Sequence, residues 1–224
     1  MNADAVPLRI DFVSDVVCPW CAIGLKSLEL ALERTRGEVE AELHFQPFEL
    51  NPQLAAEGED AAGHLQRKYG ITAEQAEANQ RAIVERGAAL GFTFDMDRRS
   101  RIYNTFDAHR LLHWAGAEGE AAQRSLKHAL LRAYFTEGRD VSNHDVLADI
   151  AGEAGLATAR AREILASDEF ADEVRIGEQF FQSHGIRAVP AIIIERKHLV
   201  SGGQPPEVFE QALRQIAAEK RASA

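Results

Sequence analysis

The chain has 224 residues, enough to bury a full hydrophobic core in either one enlarged domain or two smaller ones. Its formal charge of −10, from 35 acidic against 25 basic side chains, would repel a phosphate backbone or an anionic membrane surface, which argues against nucleic acid and membrane as partners. No stretch approaches the roughly 20 apolar residues that span a bilayer, and Met1 to Pro7 contains Asp4 and runs straight into a strand pattern without the regions of a secretory leader, so a cytoplasmic location is expected.

Leu8, Ile10 and Phe12 alternate with Arg9 and Asp11, which predicts a strand, and Ser14-Asp15-Val16-Val17 then leads into Cys18-Pro19-Trp20-Cys21. From Pro19 to about Arg34, Ile23, Leu25, Leu28 and Leu32 recur near helical spacing, and Gly37 supplies a stop. Leu43 and Phe45 alternate with Glu42 and His44 before Pro47, a second strand. Strand, helix, strand implies a parallel pair with a right-handed crossover.

From about Pro52 to about Gly185 the pattern is helical almost throughout, with capping boxes expected at Thr72 to Gln75 and Ser142 to Asp145 and glycine breaks at Gly70, Gly91, Gly119 and Gly155. That is too much helix for one crossover. Leu111, Leu112, Trp114, Leu126, Leu130, Leu131, Tyr134 and Phe135 can supply a helical subdomain with its own core. The chain then returns to β: Ala191 to Ile194 is a short apolar run, Glu195-Arg196-Lys197 can turn, and His198 to Ser201 reads as the partner strand of a hairpin. Gly202, Gly203, Pro205 and Pro206 break that strand, and Glu207 to Glu219 carries Val208, Phe209, Leu213 and Ile216 on a helical stripe. The order is βαβ, a helical insertion, then ββα. Residues 1–51 and 186–224, with the preceding helix at about 169–185, are expected to form the α/β core, and 52–168 the insertion.

The two cysteines lie three residues apart, so a bridge between them closes almost no loop and adds little stability. The pair is chemical in purpose. Pro19 lacks a backbone N–H and has a fixed φ, which suits the first position of a helix, so Cys18 is the expected N-cap and Cys21 the third helical residue. Both sulfurs then stand at the positive helix end, where free N–H groups and the dipole favour thiolate; in such motifs a cysteine pKa falls to about 3.5–7.5. Cys18 is the candidate nucleophile. Cys21, within one turn, is the candidate resolving thiol that attacks a mixed disulfide at Cys18 and releases the partner. Zinc would need two further ligands, and His109 with His113, at i and i+4 on an expected helix, is the nearest approach to a second pair; no metal is expected, and packing or a shared helix face is the commoner fate of such histidines. A C-x-x-C between the first strand and helix of a βαβ unit points to redox chemistry.

Four features together resemble the DsbA family of thioredoxin-fold proteins, in particular a cytoplasmic branch that includes dithiol-disulfide isomerases of polyketide biosynthesis. They are Asp15-Val16-Val17-Cys18-Pro19-Trp20-Cys21, Gln46-Pro47-Phe48-Glu49-Leu50-Asn51 after the second strand, the long helical insertion, and Gly185-Ile186-Arg187-Ala188-Val189-Pro190 before the hairpin. The resemblance implies an α/β, thioredoxin-like fold (βαβ…ββα) with a large all-helical insertion, and disulfide reductase or isomerase activity. It implies a cis Pro190 facing the cysteines and a Val189 that offers backbone groups to an extended substrate. Pro19 and Trp20 complete the expected substrate-contacting set, Trp20 either as a contact surface or as a cover for the helix start. Protein or small-molecule thiols and disulfides are the expected partners; no bound cofactor is expected beyond the cysteine pair, recycled by an external thiol such as glutathione or by a reductase. The oxidising periplasmic members have histidine between the cysteines where this chain has Trp20, which points away from a dedicated oxidase, and a second cysteine pair carried by some relatives is missing here. Glutathione-linked isomerases and transferases of the kappa type share the architecture but carry serine at the reactive position, and a non-enzymatic binding module or holdase is the other alternative.

Overall fold

The structure is a computed structural model that describes residues 5–55 and 57–223; Met1 to Asp4, and with them part of the segment read for a leader, lie outside the described residues. Strand β1 (Val6–Ser14) is followed by helix α1 (Pro19–Arg34) and strand β2 (Val39–Pro47), which runs parallel to β1 with Ile10 opposite Leu43 and Phe12 opposite Phe45. Leu8, Ile10 and Phe12 are fully buried, as their alternation predicts, but Val13 and Ser14 are buried too, because the end of β1 is covered on both faces. Val13 belongs to a smaller cluster with Phe48, Phe181, Ile186 and Ala191.

The middle of the chain holds α2 (Ala61–Tyr69), α3 (Ala73–Ala89), α4 (Phe106–Glu118), α5 (Glu120–Phe135), α6 (His144–Glu153), α7 (Thr158–Leu165) and α8 (Ala171–Ser183). It is not wholly helical. Strands β3 (Glu59–Asp60) and β4 (Arg101–Ile102) form an antiparallel ribbon, too short at two residues each to show a period in the sequence. Thr72 forms the expected capping box with Gln75. The second box is corrected: Asn143, not Ser142, caps α6, with its side-chain oxygen accepting from the N–H groups of Asp145 and Val146, while Ser142 donates to Asp140. Asparagine caps as well as serine does, so the choice between adjacent residues falls to the chain path. The helical core residues named above are all buried, yet they do not form a core apart: Leu126, Leu130 and Tyr134 belong to one cluster with Leu8, Ile10, Ile23 and Phe209.

Strands β5 (Ala191–Ile194) and β6 (His198–Ser201) form the hairpin, and β5 pairs antiparallel with β1, giving the sheet order β2-β1-β5-β6. Helix α9 (Pro206–Ala222) packs beside α1 through Phe209, Leu213 and Ile216. Val208 departs from the expected stripe and is 40% exposed, since it lies one position round the helix from Phe209. Among the described residues no helix is long and apolar enough to cross a membrane.

Candidate active site

Helix α1 begins where the sequence places it. Cys18 is the N-cap in extended geometry (φ −93°, ψ 114°), Pro19 is the first helical residue, and the Cys18 carbonyl accepts from the N–H of Cys21 at 3.0 Å. Both cysteines are free thiols and both are buried, Cys18 with only 4% of its surface exposed. Their ionisation diverges. The Cys18 thiol is held below its ordinary value, chiefly by a hydrogen bond from the Cys21 side chain and further by the N–H groups of Cys21 and Trp20, against burial and the nearby Asp15 charge. Cys21 is pushed well above its ordinary value by burial and by the side chain and charge of Cys18. One sulfur of the pair is thus inclined to thiolate and the other to thiol.

The loop before β5 closes over Cys18. The Val189–Pro190 peptide bond is cis, Pro190 is buried, and the half-buried Val189 turns its carbonyl to Cys18 Sγ at 3.7 Å. Two glycines permit this approach. A Cβ on Gly24 would meet the Pro190 ring at 3.0 Å, and one on Gly203 would meet the Trp20 carbonyl at 2.9 Å. Trp20 itself is 37% exposed and lies 5.6 Å under the Arg86 guanidinium of α3. Pro19, Trp20, Val189 and Pro190 therefore surround or adjoin the cysteine pair, with Trp20 and Val189 reaching the surface.

Asp15 explains why the segment after β2 accompanies the cysteine motif. It is fully buried, and its carboxylate accepts from the N–H of Leu50 at 2.7 Å and of Val17 at 3.4 Å. His109 Nε2 lies 3.6 Å from the same carboxylate and 3.2 Å from the Phe48 carbonyl, a placement that assigns the ring proton to Nε2. Burial pushes the Asp15 carboxyl up, but His109, the Leu50 N–H and Thr105 outweigh it and hold the carboxyl below its usual value. His109 and His113 do not act as a pair: His113 packs against Phe170 at 5.2 Å, and no group of three metal-binding side chains occurs among the described residues.

Three neighbours of the pair escaped the sequence reading. Lys68 and the 56% exposed Tyr69 end α2 beside the site, with Lys68 donating to the Leu50 carbonyl and the Asn51 side chain, and the Cys18 charge acts on both. Lys127 of α5 is fully buried, and its Nζ has no hydrogen-bond partner. A signal for it existed, since Gln123, Lys127, Leu130 and Tyr134 recur at helical spacing on the buried face of α5.

A model of the DSBA-like thioredoxin domain family matches residues 9–214, which takes in both cysteines, the helical insertion and the loop before β5. The chain belongs to that family. The crystal structure of a probable DsbA oxidoreductase from Streptomyces coelicolor superposes with a TM-score of 0.88 at 35% identity, over 95% of this chain and 91% of the other. The Bacillus subtilis protein YwbO, itself uncharacterized, is 26% identical over 207 residues, 92% of this chain and 96% of its own. The cytosolic disulfide reductase DsbM of Pseudomonas aeruginosa, solved with GSH, shares the fold at a TM-score of 0.63 and 16% identity, over 94% of this chain and 99% of its own. Within the DSBA-like family, this chain has the thioredoxin-like α/β fold expected of it, and solved relatives bear names of disulfide oxidoreductases.

Proposed function

We propose that this protein is a thiol-disulfide oxidoreductase of the reductase or isomerase type, working through Cys18 and Cys21 in the cytoplasm. The observation that carries the reading is the placement of two free sulfurs at the start of α1: Cys18, the N-cap, has its Sγ 3.7 Å from the Val189 carbonyl and is the sulfur that starts the exchange, while Cys21, one turn on with no exposed surface, waits behind it as the thiol. The Cys18 thiolate attacks a substrate disulfide, forms a mixed disulfide and releases one thiolate. Cys21 then loses its proton and attacks Cys18 Sγ, forming the Cys18–Cys21 bond and releasing the second thiolate. Val189 offers its backbone to an extended substrate, Pro190 holds that segment against Cys18, and Pro19 and Trp20 line the entry.

Stabilising the Cys18 thiolate stabilises the reduced pair and raises its potential. A cytosolic glutathione pool, at about −220 to −320 mV depending on method, then keeps the resting protein a dithiol, which can reduce or reshuffle disulfides but not insert them. The GSH found with DsbM supports a small thiol such as glutathione as the recycling partner. The kappa-type alternative calls for serine where Cys18 stands. The test is trapping on non-reducing gels. Cys21→Ser accumulates mixed disulfides through Cys18, Cys18→Ser accumulates none, and equal trapping by the two variants overturns the assignment. Equilibration in glutathione buffers tests the direction, which fails if the pair stays mainly disulfide at cytosolic poise.

A further inference from the structure

An arginine held over an indole still carries its N–H donors in the guanidinium plane, where they can grip a carboxylate. Arg86 of α3 is so placed. Its guanidinium carbon stands over the Trp20 ring at 5.6 Å, and it makes no hydrogen bond or ion pair among the described residues. The arginines that flank it in the chain are engaged: Arg81 with Glu77 at 3.8 Å, Arg98 with Asp95 at 3.0 Å, and Arg99 with the Tyr134 hydroxyl at 3.0 Å. The positions three and four residues from Arg86 are Ala82, Ile83, Ala89 and Leu90, so its own helix offers no neutralising partner. The indole joins this charge to the reaction centre. Trp20 lies two residues past Cys18, its carbonyl and ring edge border Gly203, and the N–H of the adjoining Gly202 donates to the Pro190 carbonyl at 2.8 Å. Arg86, Trp20, the Gly202-Gly203 turn and Pro190 thus make one rim that runs from the insertion to the loop over Cys18. On that loop Arg187 is exposed and also lacks an ion pair among the described residues, whereas Lys68 already spends its ammonium on the Leu50 carbonyl and Asn51.

We infer that Arg86 determines specificity: its guanidinium binds a carboxylate of the substrate, so the site selects disulfides that carry a carboxylate close to the bond that Cys18 attacks. The inference rests on the proposed exchange reaction and names the substrate class for it; the bonds made and broken are those given above. An N–H···carboxylate pair with arginine is charge-assisted, and the indole beneath it keeps water from one face of the guanidinium, which strengthens the pair relative to one in open solvent. The formal charge of −10 repels the same substrate at long range, so the selection is local to the rim. A neutral disulfide gains nothing from Arg86 and a cationic one is repelled by it, which is how a single unpaired charge discriminates. Arg187, on the far side of Pro190, adds to the same preference without an indole under it.

The experiment measures second-order rate constants for oxidation of the reduced protein by three disulfides of matched size: dithiodipropionate, a dianion; bis(hydroxyethyl) disulfide, neutral; and cystamine, a dication. Each rate is divided by that of mercaptoethanol with the same disulfide, which removes differences in intrinsic reactivity. The parent should favour the dianion over the neutral disulfide by about fivefold or more and react slowest with cystamine. Arg86→Gln should lose at least about threefold of that ratio, while Arg81→Gln, which removes the same charge one turn away, keeps it within about 1.5-fold. In the parent the preference should shrink as salt rises from about 0.05 to 0.5 M, a reading that needs no variant to fold. A parent without the preference, an Arg86→Gln variant that retains it, or an Arg81→Gln variant that loses as much overturns the inference. Absence of exchange with all three disulfides instead overturns the exchange reaction itself. Two peptide disulfides that differ only in glutamate or glutamine beside the cysteine identify the source of the carboxylate. An Arg86-dependent preference between the peptides extends the class to acidic polypeptides, and a preference confined to the small disulfides assigns it to small thiols; either result supports the role of Arg86.

Discussion

Two buried carboxylates meet at the segment Phe48-Glu49-Leu50, Asp15 against its backbone and Glu49 within it, and they are driven in opposite directions. Asp15 accepts two backbone N–H groups and faces His109, and its carboxyl lies below the usual value. Glu49 lies against Glu178, whose carboxylate accepts the Glu49 N–H at 3.1 Å; Arg175 reaches Glu49 Oε2, while Glu49 Oε1 has no partner. Its carboxyl is raised, first by burial and then by Glu178, against the pull of Arg175. Burial alone therefore decides nothing; His109, with the Leu50 N–H and Thr105, outweighs the desolvation of Asp15, and one arginine shared between Glu49 and Glu178 does not outweigh that of Glu49. The difference separates a charge built into the support of the cysteine pair from one that the fold merely tolerates at the join of α8 and the end of β2.

Removing the Asp15 charge should have the largest effect. Asp15→Asn turns one N–H acceptor into a donor and leaves a buried amide unsatisfied, a cost of about 1–3 kcal/mol, more where the partner was charged. The native carboxyl is lowered, so its stabilisation is fully present above the ordinary unfolded value of about 3.9 and disappears as pH falls through the lower folded value. Urea unfolding should show a deficit of about 2–4 kcal/mol at pH 7 that shrinks toward pH 3; a variant as stable as the parent at pH 7 would break the comparison. The same substitution should move Cys18 the other way. Since the Asp15 charge opposes the Cys18 thiolate, its removal lowers the thiol's midpoint further, read as thiolate absorbance near 240 nm.

His109→Gln sharpens the contrast by leaving Asp15 in place. Without the ring beside it, burial is less opposed and the carboxyl rises toward its ordinary value. The expected loss is about 1–2 kcal/mol at neutral pH, with the acid limb of the stability profile displaced to higher pH. An unchanged acid limb would remove His109 from the account.

The parts of this site that could be read in the sequence are those fixed by local geometry. Pro19 after Cys18 announces a helix start, and the alternation around Ile10 and the run from Ala191 to Ile194 announce strands, because period and capping act within a few residues. The Gln46 to Asn51 segment could be recognised only by resemblance, since its work is done by a backbone N–H meeting a carboxylate 35 positions away. Gly24 and Gly203 read as ordinary small residues until Pro190 and Trp20 are brought against them. Lys127 stands on the apolar stripe of α5, but lysine is normally a surface residue, so its burial is not legible from its type.

Glu49→Gln should give the smallest effect, and of opposite sign. A raised carboxyl contributes stability that is fully present below the ordinary unfolded value of about 4.3 and is lost as pH climbs through the higher folded value, because the native state must then hold an unwelcome charge. Glutamine never takes that charge. It gives up one contact to Arg175, but Arg175 keeps Glu178 at 2.9 Å, so the guanidinium is not orphaned. Relative to the parent, the variant should therefore gain stability between about pH 4 and 7 and end equal to it or up to about 1 kcal/mol more stable. The measurement is urea unfolding of both proteins at several pH values in that window. A variant that loses ground as pH rises would mean that Arg175 holds Glu49 as firmly as His109 and the Leu50 N–H hold Asp15, and the distinction between the two carboxylates would collapse.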